Sequence, residues 1–125
     1  MNLQDATILL VDDNTHTRLL AKTLLLSMGC QPPLEAANGQ EAVELFQLHQ
    51  PNLTILDINM PIMDGKQALE QIISEFPNAV VVMWSSLEAE DTIRECIELG
   101  ASNFIRKHEP MEVFVEMIAA HIQEL

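Results

Sequence analysis

An α/β domain built on a parallel sheet is the fold class this sequence predicts, and three features predict it. Apolar runs alternate with amphipathic segments from end to end, the pattern of strands covered by helices on both faces of a sheet. The runs are short and continuous, as strands buried on both faces are. Two of them end in carboxylates: Ile8-Leu9-Leu10-Val11 runs into Asp12-Asp13, and Leu53-Thr54-Ile55-Leu56 into Asp57. If these strands are parallel neighbours, the three acids meet at one edge of the sheet, where ligands bind in open α/β folds.

The chain of 125 residues has the size of a single domain, 1–125, large enough to bury a core without disulfides or structural metals. Five strands fit that length, the first from Thr7 to Val11. A helix over Thr15 to Met28 follows, with Leu19, Leu20, Thr23, Leu24 and Ser27 at helical spacing; Asn14 or Thr15 caps it and Gly29 ends it. Leu34 to Ala37 is the second strand. Ala42, Val43 and Phe46, with His49 as a candidate fourth member, stripe a second helix that Pro51 stops. The third strand is Leu53 to Leu56. A third helix carries Ala68, Leu69, Ile72 and Ile73 and ends before Pro77. Ala79 to Trp84 is the fourth strand, and the helix after it turns Ile93, Cys96 and Ile97 inward while Glu88, Glu90, Asp91, Arg94, Glu95 and Glu98 face out. Asn103 to Ile105 is the fifth strand. The last helix starts near Pro110, with Phe114, Ile118 and Ile122 in one row and Val113 and Met117 in the next. The sequence contains no repeats, low-complexity tracts or linkers.

Charge narrows the function classes. Nineteen Asp and Glu against six Lys and Arg leave a formal net charge of -13, which argues against nucleic acid or an anionic membrane as partner, since both require a concentrated positive surface. Cys30 and Cys96 form no CxxC and no zinc-spaced set with histidine, so two free buried thiols are expected. A soluble cytoplasmic protein is the expectation, with no basic-then-apolar leader and no run of membrane-spanning length. His16, His49, His108 and His121 are scattered without ligand spacing and read as surface or core-edge residues.

Taken singly, each acid has a plain structural reading: Asp12 and Asp13 as helix caps, Asp57 as a strand-end residue, Asp64 as a turn former before Gly65. Jointly they read as a magnesium site, because magnesium takes one or two carboxylates plus phosphate oxygens and keeps several waters. Asp12, Asp13 and Asp57 supply the carboxylates, and a backbone carbonyl near Asn59 a further ligand. Two more strands reach the same edge, one running into Ser85-Ser86 and one through Arg106 into Lys107. A hydroxyl and an ammonium are groups that hold phosphoryl oxygens, and Lys107 is one of only six basic residues.

On these residues the chain resembles the receiver domain of two-component response regulators along essentially its whole length. The matching positions are Asp12-Asp13, Asp57 with Met60-Pro61 and Asp64-Gly65, Ser85, and Lys107. The resemblance implies a flavodoxin-like, doubly wound five-stranded sheet of order 2-1-3-4-5 with five helices. It also implies roles. Asp57 accepts a phosphoryl group from the phosphohistidine of a sensor histidine kinase or phosphotransfer protein, Asp12, Asp13 and Asp57 hold Mg2+, and Ser85 and Lys107 bind the phosphoryl oxygens. Ser85 and Phe104 then act as switch residues, repacking the face of the fourth helix, fifth strand and fifth helix for an unidentified protein target. Such a protein is no enzyme beyond its own phosphorylation and dephosphorylation.

Departures from the family pattern are Lys107 followed by His108-Glu109-Pro110 rather than directly by proline, and Ser86 in place of a small apolar residue. Asn59 and Leu87 match positions that tune the lifetime of the phosphorylated state. Trp84 is placed to report metal or phosphate binding by fluorescence, and Met60 or Met63, if exposed, to touch a partner; an acidic fourth helix suggests a basic one. Two other readings compete. A magnesium-dependent phosphatase or phosphotransferase acting through Asp57 commonly carries a second Asp two residues on, where Asn59 stands. A constitutive interaction module would not need the intact set of Asp12, Asp13, Asp57, Ser85 and Lys107.

Overall fold

The computed structural model describes residues 1–86 and 89–125. A short 3-10 turn at Leu3–Asp5, which the sequence pattern does not signal, precedes β1 (Ile8–Val11), α1 (Thr15–Ser27), β2 (Leu34–Ala36), α2 (Gly39–His49) and β3 (Leu53–Leu56). Then come α3 (Gly65–Glu75), β4 (Val81–Ser85), α4 (Glu90–Glu98), β5 (Asn103–Arg106) and α5 (Met111–Gln123). All strands are parallel, in the order β2-β1-β3-β4-β5. This is the doubly wound, flavodoxin-like order. Ser85 and Arg106 belong to the strands they were expected to follow, and Ala79 and Val80 precede β4, although the Val80 carbonyl still accepts from Thr54 N at 3.0 Å. Leu87, expected to tune the phosphorylated state, and Glu88 lie outside the described residues.

Strand side chains alternate between the two layers, as period-2 geometry requires. Leu9, Val11, Leu56, Val81 and Met83 face α2, α3 and α4, packing on Ala42, Phe46, Leu69, Ile72 and Cys96. Ile8, Leu10, Leu53, Ile55, Val82 and Ile105 face α1 and α5, packing on Ala21, Leu25, Phe114, Ile118 and Ile122. Burying each such side chain contributes about 1.5–3 kcal/mol. The central strands β1, β3 and β4 are buried on both faces, which is why they read as continuous apolar runs.

Two helices are rotated from their expected faces. On α1 the buried residues are Ala21 and Leu25, whereas Leu19 and Leu20 are exposed. Thr23 and Ser27, expected inside, face solvent because their hydroxyls donate to their own helix, at the Leu19 and Leu24 carbonyls. The small Ala21 lies against the sheet instead. On α4 Cys96 is buried and Ile93 half-buried, but Ile97 turns outward and is 46% exposed. His49 of α2 is also exposed, since the buried row there ends at Phe46.

The helix starts bear on the acids. Asn14, not Asp12 or Asp13, caps α1, its Oδ1 accepting from Thr17 N at 2.9 Å. Asp64 does serve structure: it caps α3 in a reciprocal capping box with Gln67. Gly65 beside it donates to the Ile58 carbonyl at 2.8 Å, and a Cβ there would stand 1.8 Å from the Asp57 carbonyl oxygen. Gly39 pins the other side of the same loop, donating to the Met63 carbonyl at 2.8 Å in a space without room for a Cβ.

Thr54 of β3 is fully buried, and its hydroxyl has no hydrogen-bond partner among the described residues. Replacing an unpaired buried hydroxyl by a methyl of similar shape removes a desolvation cost of about 1–3 kcal/mol. Thr54→Val is therefore expected to raise unfolding free energy by about 1 kcal/mol in urea titration, and a loss of stability would contradict this account.

Candidate functional site

Register places the chemistry. Val11 pairs with Leu56, Leu56 with Met83, and Met83 with Phe104, so β1 and β3 end level at the carboxyl edge of the sheet while β4 and β5 run two residues further. Asp12 and Asp57 each sit one residue past a paired position, their amides still bonded to the Ala36 and Val11 carbonyls at 3.1 and 3.0 Å. Both are almost fully buried, whereas Asp13 is exposed. One carboxylate oxygen from each of Asp12, Asp13 and Asp57 lies within 4.8 Å of the others. Hard oxygen donors without imidazole or thiol suit a hard divalent cation such as magnesium.

Lys107 closes the cluster. It follows β5 in a turn held by its amide on the Ser85 carbonyl at 2.9 Å and by Glu109 N on the Arg106 carbonyl at 3.2 Å, and the described residues contain no cis peptide. His108-Glu109-Pro110 in place of an immediate proline thus leaves Lys107 aimed at the acids: its Nζ lies 2.7 Å from Asp12 Oδ2 and 3.1 Å from Asp57 Oδ2. Its ammonium also stands 5.3 Å from the centre of the Trp84 ring, which packs against Phe114 at 4.8 Å. Asp12 Oδ1 accepts from Asn14 N at 2.9 Å, and Asp57 Oδ1 from Ile58 N at 2.8 Å.

Of the remaining expected residues, Ser85 is buried at the end of β4, paired in register with Arg106. Asn59 is exposed on the loop after Asp57. Phe104 is half-buried one layer below the acids, against the α2–α4 side of the core. Met60 and Met63 are half-buried and pack on that core too; the residue this loop displays is Ile62, 82% exposed and held at φ 69°. Sequence reasoning missed Arg18. Its Nη1 donates to the Asp12 carbonyl at 2.6 Å while Nε pairs with Glu35 at 3.1 Å, so it braces the chain at the buried acid. The available signal was its scarcity, one of six basic residues, four positions after the helix cap.

Burial pushes the Asp57 carboxyl above its ordinary range; the Lys107 ammonium opposes this and the Asp12 charge adds to it. Burial likewise raises both thiols, Cys30 and Cys96, which are free and buried as expected and therefore unreactive.

The response regulator receiver domain matches residues 8–119. The chain belongs to the receiver family. The chemotaxis protein CheY of Bacillus subtilis is 38% identical to this receiver over 100 residues, 80% of this chain and 83% of that protein. CheY of Thermotoga maritima is 35% identical over the same shares. Among solved structures, the CheX-CheY-BeF3-Mg+2 complex from Borrelia burgdorferi contains a chain that superposes with a TM-score of 0.89 at 31% identity, covering 94% of this receiver and 89% of that chain. Receivers are modules of phosphorylation-dependent, two-component signalling, and this one has their fold. Among its described residues no helix is long and apolar enough to cross a membrane.

An acid whose carboxyl is raised in the folded state destabilises that state once ionised, so stability falls as pH rises from the ordinary value of 3.8 through the raised one. Without divalent cations, Asp57→Asn is expected to be more stable than the parent at pH 7. That gain should shrink as pH falls through the raised range and vanish below 3.8. Urea titrations across pH measure it, and a variant weaker than the parent at pH 7 would be the opposite result.

Proposed function

We propose that this receiver is a phosphorylation-activated switch whose acceptor is Asp57, charged from the phosphohistidine of a sensor histidine kinase or phosphotransfer protein. The observation that carries the reading is the position of Lys107, whose one ammonium touches both buried acids, Asp12 and Asp57. A cation held there neutralises part of the charge that an incoming phosphoryl group brings to an acidic edge.

In the transfer, an Asp57 oxygen forms the new P–O bond as the P–N bond of the donor phosphohistidine breaks, and the imidazole departs with that bond's electrons. Asp12, Asp13 and Asp57, with the Asn59 backbone carbonyl, would hold Mg2+, which supplies charge neutralisation and orientation of the phosphoryl oxygens when bound. Lys107 moves its contact from the Asp57 carboxylate to a phosphoryl oxygen, and the Ser85 hydroxyl donates to another. The modified side chain carries about -1.5 to -2 charges at neutral pH. Ser85, buried between core and site, leaves space as it turns toward the phosphoryl group, and Phe104 fills it from its half-buried position. This repacks the α4–β5–α5 face, the surface offered to a downstream protein. Residues 1–125 act as one receiver unit in the cytoplasm, with no activity beyond their own phosphorylation and dephosphorylation.

Incubation with Mg2+ and acetyl phosphate is expected to add one phosphoryl group, seen by mass spectrometry on Asp57 and lost in Asp57→Asn. Rapid turnover of many small phosphoesters would favour a metabolic phosphatase instead, and the absence of an adduct would favour a constitutive interaction module. Asp13→Ala should weaken Mg2+ binding followed by Trp84 fluorescence. An unchanged titration, with the parent responding, would remove Asp13 from the ligand set.

A further inference from the structure

We propose that Trp84 is a positioning residue for phosphoryl transfer at Asp57, its indole face holding the Lys107 ammonium where it can pass from the acids to a phosphoryl oxygen. The proposal rests on reading Asp57 as the acceptor. Strand parity creates the contact. Trp84 of β4 pairs in register with Ile105 of β5, and side chains two apart along a strand share a face, so Lys107 emerges on the same side of the sheet as Trp84. Its amide continues the ladder to the Ser85 carbonyl at 2.9 Å, which carries the stem past the ring. Nζ lies over that ring, 5.3 Å from its centre, within the range of cation–π attraction.

Packing alone does not aim this lysine. No proline ring fixes the backbone directly after it, since His108 and Glu109 precede Pro110, and its four-carbon stem is flexible. A cavity of about 50 Å3, lined by Lys107 with Trp84, Leu20, Leu24, Met111 and Phe114, leaves room beside it for a group the size of a water or an ammonium. The ring, by contrast, is fixed: Trp84 is almost fully buried and packs on Phe114 with ring centres 4.8 Å apart. A fixed face beside a mobile cation is what positioning requires.

An aromatic face also suits the charge of the site. Asp12 and Asp57 already present carboxylate oxygens to Nζ at 2.7 and 3.1 Å, and a third carboxylate would repel the incoming phosphoryl group and hold the lysine back from it. A neutral ring attracts the cation through its quadrupole and adds no charge to the edge. Trp84 is the only tryptophan in the chain.

That single tryptophan makes the test specific. Biosynthetic replacement by mono-, di- and trifluorotryptophan withdraws electron density from the ring face with little change of shape, and labels no other position. Formation of the Asp57 adduct from acetyl phosphate and Mg2+, followed by mass spectrometry, is expected to slow with each added fluorine, by about tenfold at the end of the series. Trp84→Phe should keep part of the parent rate, and Trp84→Leu, apolar but without a ring, should lose about tenfold. In the metal-free protein the NMR signal of the Lys107 ε-methylene protons, displaced by the ring current, should move toward that of a free lysine in Trp84→Leu. Rates indifferent to fluorination, or a Lys107 signal that ignores loss of the ring, overturn the proposal; if a thermal midpoint shows Trp84→Leu unfolded, the fluorinated series decides. No adduct in the parent removes the switch reading and the role of Trp84 with it, whereas an adduct formed at a rate independent of fluorination removes the role of Trp84 alone.

Discussion

One ammonium organises the carboxyl edge of this sheet. Lys107 Nζ lies within 3.1 Å of oxygens on both Asp12 and Asp57, two carboxylates that are almost fully buried. Buried like charges side by side are costly unless something of opposite sign stands between them. Lys107 is that group, and its own place depends on the turn after β5, where its amide bonds the Ser85 carbonyl. The site is consequently a property of three strands held in register: displace β5 by a residue and the acids lose their counter-charge.

Compensation at the edge is incomplete, and the incompleteness is useful. Burial outweighs Lys107 in its effect on the Asp57 carboxyl, which is held above its ordinary range. An acidic pocket short of positive charge is a pocket prepared for a cation. The loop beside it is tightly packed. Gly65 and Gly39 sit where no side chain fits, and Ile62 is held in a left-handed conformation that a β-branched residue adopts only under constraint.

Ion pairs away from the edge divide the acidic exterior. Glu35 takes both Arg18 and Lys22, and Lys66 is committed to Glu95. With six basic residues against nineteen acids, most carboxylates among the described residues go without an ion-pair partner. The first of these pairs also serves the site, since Arg18 spans from Glu35 to the Asp12 carbonyl.

Read alone, the sequence determined that there are five strands and five long helices, close to where they start and stop, because parallel strands buried on both faces are unmistakable apolar runs and the breaks carry Asn, Gly and Pro. It also marked Asp12, Asp13, Asp57 and Lys107 as a group, each placed after a strand, and these are the residues the structure brings together. Tertiary structure decided which helix faces are buried. Local spacing placed Leu19, Leu20 and Ile97 inside with Cys96; the angle at which each helix meets the sheet kept Cys96 inside, turned the other three outward and put Ala21 and Leu25 inside on α1, and a hydroxyl bonded to its own helix was indistinguishable in the sequence from one facing the core. It also decided the separate duties of the acids: Asp64 caps a helix while Asp12 and Asp57 share a lysine, because only the strand register brings residues 12, 57 and 107 within reach of one another.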